Sequence, residues 1–177
     1  MTRKVEVITY SEKWQQQFEQ EKQLLQVLFA KELVAVHHIG STAIQQISAK
    51  PIIDILVVVT DIEQVENYNE EMRKLGYMDF GENGIAGRRF LAKGGERRSH
   101  HVHVFEKNHP EIDRHLAFRD YLNDHPEQAQ AYSQLKKQLA QQFPLDIEKY
   151  MSGKDHLIKE IDRKAAEWQQ QNTVKGE

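Results

Sequence analysis

Nine residues, Pro51 to Val59, constrain this fold more than any other stretch of the chain. Ile52, Ile53, Ile55, Leu56, Val57, Val58 and Val59 are aliphatic, mostly β-branched, and do not alternate with polar residues. Such a run fits a central strand covered on both faces rather than one wet on one side. Asp54 interrupts it. A carboxylate inside such a strand is costly to desolvate unless a cation, a hydrogen-bond donor or the solvent-filled end of the sheet receives it.

The residues before this strand supply a possible receiver. Leu33 to Ile39 reads as a strand, with Val34, Val36 and His38 on one face, ending at Gly40. Gly40-Ser41-Thr42 is a turn, followed by one helical turn through Ile44 and Ile47 before Pro51 forces extension. A Gly-Ser pair between a strand end and a helix aims backbone amides and a hydroxyl at one point, which suits a phosphate. Asp54 follows Ser41 by thirteen residues, so a strand-turn-helix-strand unit sets the carboxylate beside the turn. There a Mg²⁺ can bridge carboxylate and phosphate oxygens. Alternatively, Asp54 accepts hydrogen bonds from Lys50 or a nearby backbone.

Elsewhere the periodicity is mostly helical. Val5 to Tyr10 is expected as a short strand, and Ser11 as the N-cap of a helix to about Ala30 that buries Trp14, Phe18, Leu25, Leu28 and Phe29. Asp61 should cap a helix to about Leu75, stopped by Gly76. Arg88 to Lys93 and His101 to Glu106 flank Gly94-Gly95 as a hairpin. Three helices follow: about Ile112 to Leu122, one from the capping box Asp124-His125-Pro126-Glu127 to about Gln142, and about Asp146 to Gln170, with fraying from Asn172. One domain is expected, with a mixed-sheet core over 1–110 and packed helices over 111–171.

Two further clusters carry possible chemistry. On a strand, His101 and His103 share one face while His100, Val102 and Val104 share the other. Two imidazoles so placed can chelate a metal, contact a phosphate when protonated, or simply be solvated. Arg88, Arg89, Lys93, Arg97 and Arg98 form a basic cluster that can bind a triphosphate or an RNA backbone, or guard a sheet edge against aggregation. Alternation favours Arg89 over Arg88 as the residue sharing a face with Leu91. Arg119, at i+4 from His115 on a helix, is read as a contact to the sheet.

Composition narrows the classes. A net charge of −3 lacks the bulk basicity of a general nucleic-acid binder, and the absence of cysteine excludes disulfides and thiolate metal sites. The longest apolar run is too short to span a bilayer, and the N-terminus lacks a secretory signal series, so a cytoplasmic location without membrane partners is expected.

His38-Ile39-Gly40-Ser41-Thr42, Ala49-Lys50-Pro51-Ile52-Ile53-Asp54-Ile55, His101-Val102-His103-Val104, Leu116 to Leu122 and the later Tyr150…Lys154 together resemble the GrpB family, over about residues 5 to 168. That family looks like a branch of the polymerase-β-like nucleotidyltransferases. The resemblance implies an α+β (α/β-like) fold: a nucleotidyltransferase-like mixed β-sheet flanked by helices, with a C-terminal helical region. Carried over, Gly40 and Ser41 match the phosphate-contacting turn and Asp54 the first metal-binding acid. Beside them, Lys50 is a further catalytic candidate with Asp54, and Thr42 and Arg89 are further nucleotide contacts. His101 and His103 are read with Asp54 as the ligands of one metal, and His38 and Arg119 are further motif residues. The expected cofactor is a divalent metal (Mg²⁺, Mn²⁺ or Zn²⁺). The expected partners are a nucleoside triphosphate, an unknown acceptor and RNA.

Two departures from the superfamily pattern stand out. Leu56 occupies the position of the second acid, and the strand expected to bear a third carries His101 and His103. One carboxylate and two imidazoles suit one softer cation better than two Mg²⁺. Gln45-Gln46 stands where the family commonly has Pro-Gly. The leading expectation is metal-dependent nucleotidyl transfer; the alternative is a catalytically silent nucleotide- or RNA-binding module.

Overall fold

The computed structural model describes residues 3–175. Five strands form one sheet in the order β1-β2-β5-β4-β3: β1 (Leu33–Ile39), β2 (Ile53–Val59), β3 (Tyr77–Asp79), β4 (Arg89–Lys93) and β5 (His100–Glu106). β2 pairs antiparallel with β1 and parallel with β5, and β4 pairs antiparallel with both β5 and β3. This is the expected mixed sheet flanked by helices.

The uninterrupted apolar run in β2 has a direct cause. Ile53, Ile55, Val57 and Val59 pack under α1 (Lys13–Phe29), against Trp14, Phe18, Leu25 and Phe29. Leu56 and Val58 face the opposite layer, where Phe105 joins them under Ile112 and Leu116 of α3 (Pro110–Asp124). Both faces are covered, so only the strand's first turn-side position can be polar. Asp54 takes it, opposite His101 in the parallel register.

The C-terminal helices α3, α4 (Pro126–Gln142) and α5 (Ile147–Lys175) close a second core with Ile44 and Ile47 from the segment after the Gly-Ser turn. A small helical glycine assists this packing. A Cβ at Gly153 would lie 2.4 Å from a Leu139 methyl, so α4 and α5 cross closely there. Glycine in a helix otherwise costs about 1 kcal/mol relative to alanine.

Several boundaries differ from the sequence expectation. Val5 to Tyr10 forms only a bridge between Ile8 and Ala49. The helical turn after Gly40 falls earlier, as a 3₁₀ turn over Ser41–Ala43. The segment capped by Asp61 begins as 3₁₀ helix over Ile62–Tyr68 and turns α-helical only in α2 (Asn69–Lys74). Helix α1 starts after Glu12, although Ser11 Oγ still accepts from the Lys13 amide at 3.3 Å. The expected Asp124 cap is absent: His125 is the residue shared by α3 and α4, and its Nδ1 donates to the Tyr121 carbonyl at 2.8 Å. Helix α5 continues past Asn172 to Lys175.

Candidate functional site

Gly40 and Asp54 are in direct contact across the β1–β2 pair. Gly40 has φ +72°, and a Cβ there would come within 2.6 Å of Asp54 Oδ2. Only glycine satisfies both the left-handed backbone and the close approach. Ser41 and Asp54 then line one cavity of about 410 Å³ with Phe90, His101, His103 and Tyr150. The expected adjacency of turn and carboxylate is therefore present.

Asp54 is occupied by donors. His103 Nε2 lies 3.1 Å and His101 Nδ1 3.4 Å from the same Asp54 oxygen. The outer nitrogens face guanidiniums: Arg88 Nη1 lies 3.4 Å from His103 Nδ1, and Arg98 Nη1 lies 3.4 Å from His101 Nε2. A guanidinium can only donate, so each outer nitrogen accepts and each inner nitrogen carries the proton shared with Asp54. Burial pushes the Asp54 carboxyl up, but the hydrogen bonds from the two imidazoles outweigh it and hold it well below the ordinary carboxylate range.

That arrangement bears on the expected metal. An imidazole bound to a cation almost always offers its other N–H to a carboxylate, carbonyl or water. Here a metal on the inner nitrogens would turn each outer N–H toward a guanidinium, setting donor against donor. Leu56, at the position of a second acid, is fully buried among Ile39, Val58 and Phe105. Among the described residues no group of three or more His, Asp or Glu side chains is arranged to hold a metal ion. Asp54, His101 and His103 do converge, but this donor set does not fit a divalent cation.

The cavity is instead lined by cations. Arg3, Lys50, Arg88, Arg98, Lys136 and Lys154 surround Asp54, the one carboxylate lining it among the described residues. Burial lowers the Lys50 ammonium, partly countered by the charge of Asp54. A neighbouring groove of about 550 Å³ shares Arg3, Lys50 and Arg98 with the cavity and adds Lys4 and Arg97 together with Glu6 and Glu96.

Four expected site residues lie elsewhere. Arg89 is directed away, toward Glu66 and Glu63, while Arg88 enters the cavity. Arg89 does share a face with Leu91, but that face packs under α1; the site face is the one bearing Phe90, opposite His103. His38 is stacked on Phe18, donates from Nδ1 to Gln15 at 3.3 Å and accepts from Thr42 at 2.9 Å. Burial lowers its pKa to about 4, so it is neutral packing, and Thr42 is its partner. Arg119 donates to the His38 carbonyl at 3.1 Å, as a contact to the sheet. Lys93, from the basic cluster, pairs with buried Glu21 on the other face at 3.1 Å.

Sequence reasoning overlooked Lys136, and gave Tyr150 and Lys154 no chemical part. The signal was present: Lys136 falls on the buried stripe Ala129, Tyr132, Ser133, Leu139 of α4, and Lys154 on the stripe of Tyr150 and Ile161 in α5. A lysine at a core position of an amphipathic helix is the anomaly to look for.

Sheet order, flanking helices and a Gly-Ser turn over a strand carboxylate define a nucleotidyltransferase-like α+β fold. Cid1 in complex with the UTP analogue UMPNPP superposes with a TM-score of 0.52 at 15% identity, covering 76% of this chain and 43% of Cid1, a likeness of fold. The family is closer still. A GrpB protein family profile matches residues 4–164, and the chain belongs to the GrpB family. The crystal structure of the conserved protein GrpB from Enterococcus faecalis superposes with a TM-score of 0.88 at 47% identity, over 90% of this chain and 96% of that one. YqkA of Bacillus subtilis is 52% identical over 166 residues, 94% of this chain; the chain spans 48% of YqkA. The glutamate-rich protein GrpB of Alkalihalophilus pseudofirmus is 37% identical, covering 88% of this chain and 92% of that protein. No helix among the described residues is long and apolar enough to cross a membrane.

Proposed function

We propose that the chain binds a nucleotide in the cavity beside Gly40 and Asp54, as a nucleotide-binding module that keeps the nucleotidyltransferase-like fold without two-metal transfer chemistry. The observation that carries this reading is the charge of the cavity: among the described residues, six basic side chains around a single carboxylate that two imidazoles already occupy. Two-metal transfer needs several anionic ligands to clamp a pair of cations. A cationic cavity with a hydroxyl at its turn instead suits the phosphates of a nucleotide. Cid1, solved with a UTP analogue, with MgATP and with MgGTP, supports a nucleotide as the ligand of this fold.

The test is a thermal-shift panel with ATP, GTP, CTP and UTP, each in EDTA and each with Mg²⁺, Mn²⁺ or Zn²⁺, alongside an assay for released pyrophosphate. At about a hundred times its dissociation constant a ligand stabilises the fold by about 2.7 kcal/mol, and the expected result is such a shift without turnover. No shift with any nucleotide overturns the reading. Metal-dependent pyrophosphate release that is lost in Asp54→Asn replaces it with nucleotidyl transfer.

A further inference from the structure

Three residues lining the cavity carry a buried polar atom without a hydrogen-bond partner among the described residues, Arg3, Lys136 and Tyr150, and the last two are the most deeply buried. Lys136 is 1% exposed and Tyr150 is fully buried, and neither the Lys136 Nζ nor the Tyr150 hydroxyl has a hydrogen-bond partner among the described residues. An unpaired buried ammonium is among the costliest groups a core can hold. Its nearest support is the Tyr132 ring, 4.5 Å away, which offers only a cation–π contact. Lys154 lies 4.8 Å over the Tyr150 ring and Lys50 5.4 Å from the same ring. Lys50 and Lys154 thus share the Tyr150 ring while Lys136 sits on the Tyr132 ring, three amines from three separate segments lining one cavity.

The fold does nothing to separate them. The close crossing at Gly153 brings α4 and α5 together just where Lys136 and Lys154 project, and the Asp54 carboxylate in the cavity is engaged by His101 and His103. Burial and the neighbouring lysines push the Lys136 ammonium down to about 6 and Lys154 to about 8, as expected of cations held without a counterion. Each lysine presents three donors and no acceptor, and the tyrosine presents one donor. What is missing is a multiply charged acceptor.

We propose that Lys50, Lys136, Lys154 and the Tyr150 hydroxyl form a receptor for a polyphosphate chain, and that these ammoniums take the place of a divalent cation. In the nucleotide reading, on which the choice of ligand rests, they hold the β- and γ-phosphates while Ser41 marks the end of the chain nearest the sheet. The same receptor accepts a free inorganic polyphosphate. Charge-assisted N–H···O bonds are about twice as strong as neutral ones, and they hold phosphate oxygens without a bridging metal.

The experiment is calorimetric titration of the full chain, in EDTA, with inorganic tripolyphosphate, ATP and adenosine. It is repeated on Lys136→Met, which keeps the apolar stem without the charge, and on Lys154→Gln, with thermal melting of each variant as the check on folding. The expected result is saturable tripolyphosphate binding without metal, weakened at least tenfold in both variants while both remain folded. Tripolyphosphate binding that requires Mg²⁺, or that is unchanged in both variants, overturns the receptor. ATP binding that ignores both substitutions does so too, and leaves the nucleotide reading standing. Conversely, tripolyphosphate binding without affinity for any nucleoside triphosphate upholds the receptor and overturns the nucleotide reading.

Discussion

Replacing Lys136 with methionine should make the unliganded protein more stable, and the gain should fade as the pH rises. Lys136 titrates near 6 in the folded chain against 10.5 for an ordinary lysine. Its folded pKa is lowered, so between those values the unfolded chain binds more protons than the folded one, and wild-type stability climbs with pH. At pH 7 the distance to 10.5 corresponds to about 5 kcal/mol of destabilisation, an upper limit because relaxation and water entry relieve part of it. Below the folded pKa the full penalty applies, and it disappears above the unfolded one. Methionine fills the same space without the charge. Between about pH 6 and pH 8.5 the advantage of the variant should therefore shrink by about 3 kcal/mol, the integral of close to one proton over that interval. Lys154, titrating near 8, contributes to both proteins and cancels in the difference. Urea unfolding of both proteins at the two pH values measures it directly. A variant less stable than wild type at pH 6, or an advantage that does not change with pH, would refute the picture of Lys136 as a buried ammonium without a counterion.

Four further outcomes follow from the same geometry. Tripolyphosphate should bind with proton uptake, because the anion restores the protons that burial strips from Lys136 and Lys154; affinity then falls from about pH 6 to pH 9, and calorimetry in buffers of different ionisation enthalpy reads the uptake. Gly40→Ala meets both a φ of +72° and the Asp54 carboxylate, and should cost about 1–3 kcal/mol in denaturant melts together with loss of nucleotide binding. Leu56→Asp, which supplies the second acid on paper, places a carboxylate at a fully buried position and should destabilise the fold by roughly 3 kcal/mol or more, without metal binding by calorimetry. Arg89→Ala breaks an ion pair with exposed Glu66 outside the cavity; it should change stability by less than about 1 kcal/mol and leave the nucleotide-induced thermal shift intact.

The residues that were legible in the sequence are those whose constraint is local. Pro51 to Val59 read as a covered strand, Gly40 as the close of a turn, and the twelve residues between Ser41 and Asp54 left room for little besides a short connection. The pairing of β4 with β5 came from the Gly94-Gly95 turn between them, and His101 and His103 on one face with His100 on the other came from alternation. What the sequence left open was which face meets what. Alternation correctly separated Arg88 from Arg89, but only the packing of Leu91 under α1 decided that Arg89 leaves the site and Arg88 enters it. The imidazoles looked like metal ligands until their outer nitrogens were found facing Arg88 and Arg98, a relation between the end of β5 and two flanking loops. Lys136 and Lys154 lie 82 and 100 residues after Asp54, and only the crossing of α4 and α5 at Gly153 brings them to its cavity. Periodicity records which side chains share a surface of one element; the charge of a cavity depends on which surfaces the tertiary structure turns toward each other.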